Sequence, residues 1–138
     1  MKYLVDANVL SEPTKQRPEP SVLRWLRDHE RGVATSPIVL GELEFGILLL
    51  PSGRRRTKLR QWYAGAVKHI RVLDFDAGIA AEWAQLLVRL RKSGQAMPVK
   101  DSLIAATAIA HELTVVTRNV RDFRHTGVEI VDPFTEGH

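Results

Sequence analysis

Short apolar runs alternate with helical stretches along this chain, and that rhythm limits the fold more than any other feature. Strand-like runs fall at residues 2–6, 33–36, 70–75, 114–117 and 128–131. The first of them leads into a loop punctuated by Pro13, Pro18 and Pro20. Residues 21–30 then place Val22, Trp25 and Leu26 on one helical face, and Gly32 ends the segment. Pro37 suits a first helical turn and opens a helix running to about Leu50, which Pro51, Ser52 and Gly53 break. A basic helix spans 54–69, an amphipathic one spans 77–93 and stops at Gly94, and a very apolar one spans 99–112. Strands this short, separated by helices, predict an α/β domain whose mainly parallel central sheet is covered on both faces. In such sheets ligands bind beyond the carboxyl ends of the strands. Asp6 sits at one such end, and Ser36 and Thr117 are placed at two others.

Size and composition narrow the function. A chain of 138 residues suits one compact domain over 1–138. It has no Cys, which excludes disulfides, zinc–thiolate sites and thiol catalysis. The net charge of +4 leans toward an anionic partner, and equally serves solubility. No leader segment and no membrane-length apolar run is read, so a cytoplasmic location is expected.

Three acids lie on unexpected faces. At helical spacing Glu42 neighbours Ile38, Val39, Phe45, Gly46 and Leu49, almost without polar company. Asp101 heads a helix that is apolar nearly all round, with Ile104, Ala105 and Ala108 on its row. A lone buried carboxylate costs several kcal/mol unless it is neutralised, paired or bound to a metal. Each acid also has a plainer reading. Asp6 can cap a helix or close a turn, Asp101 can sit favourably in a first turn, and Glu42 can reach solvent or pair with a Lys or Arg. Taken together, hard oxygen ligands of this kind select Mg²⁺ or Mn²⁺. The histidines (His29, His69, His111, His125 and His138) show no ligand or triad spacing and read as surface or helix-end residues. Trp25, Trp62 and Trp83 are spaced as core residues.

The stretches VDANVLSE, TSPIVLGELEFGI and KDSLIAATAIAHELTVVTRNVRDF resemble the PIN-domain ribonucleases, and within them the VapC toxins of type II toxin–antitoxin pairs, including the FitB-like subgroup. The resemblance covers residues 3–134, and the last stretch is its most specific part. It implies an α/β/α three-layer sandwich with four to five short strands. It implies a Mg²⁺ (or Mn²⁺) site on which Asp6, Glu42 and Asp101 fall as the first three acids. Asn119 stands where some members carry a fourth acid. Asp122, three residues on, is read as the cap of a short helix, with a site role as the other reading. The implied activity is hydrolysis of RNA phosphodiesters by metal-activated water. Asn8, Ser36 and Thr117 are read as supporting groups, and Arg118, Arg121 and Lys100 as contacts for RNA phosphates. The run Arg54, Arg55, Arg56, Lys58 and Arg60 is equally a solvated helix face.

The resemblance also implies partners. A cognate VapB/FitA-like antitoxin is expected over residues 20–50, where Phe45, Leu48, Leu49 and Leu50 could form a groove. A homodimer and a toxin–antitoxin hetero-oligomer are expected, with DNA reached only through the antitoxin and no membrane contact. The rival reading is a degenerate PIN domain that binds RNA or protein without cutting. A haloacid-dehalogenase-type phosphatase would need a second Asp where this chain has Asn8.

Overall fold

The computed structural model describes residues 2–135. Five strands form one parallel sheet in the order β3–β2–β1–β4–β5. Central β1 (Tyr3–Val5) lies between β2 (Val33–Thr35) and β4 (Thr114–Val116), with β3 (Arg71–Val72) and β5 (Ile130–Val131) at the edges. Leu4 stands in register with Ala34 on one side and Val115 on the other. All three are fully buried, because helices flank the sheet and leave its central strands no solvated side.

The helices are α1 (Ala7–Leu10), α2 (Pro20–Asp28), α3 (Pro37–Leu48), α4 (Arg54–Ala66), α5 (Ala77–Lys92), α6 (Val99–His111) and α7 (Val120–Phe123). The chain builds outward from β1 through β2 to β3, then crosses over to β4 and β5. The order therefore reverses between β1 and β4. In an open α/β sheet the carboxyl end of that gap is where a binding crevice forms. Among the described residues no helix is long and apolar enough to cross a membrane.

α6 is buried as its composition predicts, with Ile104, Ala105, Ala106 and Ala108 fully enclosed. It ends at His111, one residue early. Glu112 takes a left-handed conformation at φ 54° and turns the chain into β4, with Leu113 N–H donating to Ala108 O at 2.8 Å.

Two expectations need correction. The alternation of Ile70, Val72 and Asp74 predicts a strand over 70–75, yet the strand is only Arg71–Val72, with both residues exposed and Ile70, just before it, half-buried against the core. Leu73 is the buried residue, its N–H donating to Thr35 O at 2.9 Å. An edge strand with one partner need not keep the alternation of a two-sided one. The loop after β1 is also more ordered than its prolines suggest. It holds α1 and a 3₁₀ turn over Glu12–Thr14.

Candidate metal centre

Asp6 ends β1 and begins α1. Its Oδ1 accepts from Ala7 N–H at 2.8 Å, so the capping reading holds. Its Oδ2 accepts from the Thr117 hydroxyl at 2.8 Å, across the β1–β4 gap. Asp6 is thus both a cap and the carboxylate at the switch point, buried at 3% exposure.

Thr117 is the hub of this edge. Besides donating to Asp6, its Oγ1 accepts from Asn119 N–H at 3.0 Å and from the Asn8 amide at 3.3 Å. Asn8 Nδ2 also stands 3.5 Å from Asp6 Oδ2, and Asn8 Oδ1 accepts from Arg118 N–H at 3.1 Å. One side chain from α1 therefore ties the exit of β4 to the exit of β1. Ser36 has a different job. It accepts from Val39 N–H at 3.2 Å and caps α3. No hydrogen bond links it to Asp6.

Asp101 occupies the first turn of buried α6 and is 4% exposed. Burial pushes its carboxyl up to about 6, and the negative charges of Asp6, Asp122 and Glu42 add to the rise, against the opposing charge of Lys100. These five groups therefore share one electrostatic neighbourhood. Trp83 of α5 donates its indole N–H to Ser102 Oγ at 2.9 Å, fixing the head of α6 beside Asp101. Sequence reading missed this tie. The signal available was a serine next to Asp101 at the head of a helix whose following residues are mostly apolar.

Glu42 projects from α3. Its Oε2 lies 3.1 Å from Lys100 Nζ, while Oε1 is buried without a partner. The pairing reading of Glu42 is the one observed. Lys100, expected as a phosphate contact, is engaged with this carboxylate, and the hydrogen bond to Glu42 holds its ammonium above the usual lysine range. Among the described residues no three His, Asp or Glu side chains are gathered tightly enough to enclose a metal ion. The three acids are neighbours, not a closed shell. Their chemistry nonetheless suits a hard divalent cation: a buried carboxyl resisting its own charge and an unpartnered buried oxygen are groups such an ion would satisfy.

The remaining residues fall around this edge. Asp122 is in the first turn of α7, which Asn119 begins, so Asp122 is not the cap. Its charge acts on Asp101 instead. Asn119 makes no side-chain cap and is exposed, as are Arg118 and Arg121. The Arg118 guanidinium lies 4.6 Å from the Phe134 ring centroid. A cleft of about 310 Å³ begins at Asn8 and Glu42 and continues past Ser11, Leu43 and Trp62.

Farther away, His29 stacks on Trp25 with ring centroids 4.2 Å apart, a helix-end role as expected. His138 lies outside the described residues. Phe45, Leu48 and Leu49 are 64%, 54% and 68% exposed on α3 and just past its end, an apolar surface that the monomer does not cover.

The PIN domain family profile matches residues 3–129. The chain is 35% identical to "VapC ribonuclease Y4jK" of Sinorhizobium fredii over 135 residues, covering 95% of this chain and 96% of the relative. It is 33% identical to "Toxin FitB" of Neisseria gonorrhoeae, over 95% of this chain and 97% of that protein. The solved "Structure of FitAB bound to IR36 DNA fragment" superposes with a TM-score of 0.91 at 31% identity, covering 99% of this chain and 98% of that one. The chain belongs to the PIN-domain family, and within it to the branch that holds the VapC and FitB toxins.

Proposed function

We propose that this protein is a divalent-metal-dependent endoribonuclease, the toxin of a type II toxin–antitoxin pair. The single observation that carries this reading is the pair of buried carboxylates, Asp6 and Asp101, at the strand-order reversal of a PIN sheet. The names of its relatives, a VapC ribonuclease and a FitB toxin, support it.

Asp6, Asp101 and Glu42 would hold Mg²⁺ or Mn²⁺. When bound, such an ion supplies charge for a phosphate oxygen and lowers the pKa of an attacking water. The protein's part is placement. Thr117 and Asn8 fix the Asp6 carboxylate so that one oxygen keeps its orientation. Trp83 and Ser102 fix the helix that carries Asp101. The Asn119 amide and the Asp122 carboxylate, at the start of α7, would orient water at this edge. Arg118 and Arg121 would draw the RNA backbone to it, without reading sequence. No histidine, serine or cysteine nucleophile is required.

The partner follows from the uncovered apolar surface. Phe45, Leu48 and Leu49 form a hydrophobic face on the α3–α4 hairpin, suited to a segment of a cognate antitoxin. Operator DNA would be reached through that antitoxin, as the DNA-bound FitAB structure suggests by analogy. A homodimer is part of the same reading.

The test is RNA cleavage by the purified protein. EDTA should abolish it, and Mg²⁺ or Mn²⁺ should restore it. Asp6→Asn keeps a capping oxygen for α1, so it should fold yet cut at a rate indistinguishable from background. Undiminished cutting by that variant would place the site elsewhere.

A further inference from the structure

We propose that Lys100 is a tethered competitor of the divalent cation: its ammonium holds Glu42 until an ion takes that carboxylate, so this lysine sets the metal concentration at which the site loads. The inference rests on the ribonuclease reading above and adds a residue whose effect on metal uptake that reading does not contain.

The geometry is specific. Lys100 is on α6 and Glu42 on α3, so the 3.1 Å pair bridges two helices. Lys100 lies in the first turn of α6, where a helix dipole disfavours a cation. What draws it there is the acidic group. Its charge is felt by Asp101, and the charges of Asp6, Asp101 and Glu42 are felt by it. The side chain is half exposed, so the ammonium can leave toward water when displaced. Glu42 gives one oxygen to Lys100 and keeps the other buried without a partner. A divalent ion that drew Glu42 toward the aspartates would have to win it from Lys100. Whatever anion drew Lys100 outward would, by linkage, tighten the ion by the same factor.

The experiment uses the full chain and Mn²⁺ or Mg²⁺ alone, with no RNA. Isothermal titration with Mn²⁺ compares the parent with Lys100→Met, after circular dichroism confirms that both are folded. Apparent affinity should rise about fivefold or more in the variant. A lysine that acts only through its nearby charge would also raise affinity on removal, so its displacement is read directly at the ammonium. In protein labelled with ¹³C at lysine Cε, the resonance lost in Lys100→Met identifies Lys100. That signal should move on Mg²⁺ saturation, and in Glu42→Gln it should already lie near the shifted position without Mg²⁺. Equal or weaker Mn²⁺ binding by Lys100→Met, or a Lys100 signal that ignores Mg²⁺, overturns the inference while leaving the ribonuclease reading intact. Absence of cation uptake by the parent overturns both.

Discussion

Asp6 shows how a single residue carries two readings that need not compete. One oxygen caps α1, and the other faces the switch point under the Thr117 hydroxyl. Removing that hydroxyl should loosen the carboxylate without emptying the core. Thr117→Val, nearly the same in volume, should lower cleavage or metal affinity by roughly 10- to 100-fold, the usual cost of losing a partner that orients a ligand. Cleavage at the parent's rate would show that the hydrogen bond is ornamental. Asp101 gives a prediction about stability. Its carboxyl titrates near 3.8 in the unfolded chain and is raised to about 6 in the folded one, first by burial and then by Asp6 and Asp122. Between those values the native state keeps a proton that the unfolded state has lost. Stability from this group therefore falls as pH climbs through that window and stays reduced above it. With EDTA present, Asp101→Asn should melt above the parent at about pH 7.5, and the difference should shrink toward about pH 4. A constant offset across that range would show that the carboxyl titrates normally.

At the scale of elements, α3 does the most varied work. Ser36 caps it, Val39, Leu43 and Ile47 anchor it, and Glu42 leaves it toward α6. The same helix ends in uncovered Phe45 and Leu48. Its apolar residues outnumber its buried ones, which the sequence announced by having no clean polar row around Glu42. Gly46 is one of its weak points. A Cβ there meets nothing within 4 Å, so Gly46→Ala should fit and should stabilise by about 0.5–1 kcal/mol through backbone entropy. Chemical denaturation would detect this, and a loss of stability would mean that the backbone at Gly46 is not ordinary helix. The elements misjudged from sequence share a cause. The edge strand β3 and short α1 are set by a neighbouring strand and by the Asp6 cap, not by a periodicity of their own.

At the scale of the whole molecule, the parallel order β3–β2–β1–β4–β5 turns three distant stretches into one edge. Residues near positions 6, 42 and 101 meet there because β1 and β4 are adjacent and α3 and α6 pack together. The molecule is positively charged overall, at +4, and Arg118 and Arg121 are exposed just after β4. RNA binding should therefore weaken as salt rises, and Arg121→Ala should reduce the magnitude of the log–log salt slope by roughly 1. An unchanged slope would remove Arg121 from the phosphate contacts. By itself the sequence determined the α/β class and the buried character of α6, and it singled out three acids as candidates. Those follow from local patterning: short apolar runs, helical spacing, and carboxylates on apolar faces. Only the tertiary structure decided that Thr117 grips Asp6, that Asn8 ties Thr117 and Arg118 to that edge, that Asp122 acts on Asp101 and that Lys100 holds Glu42. Hydrogen bonds and ion pairs between residues tens of positions apart depend on which strands lie side by side and how helices cross. No local pattern encodes that choice.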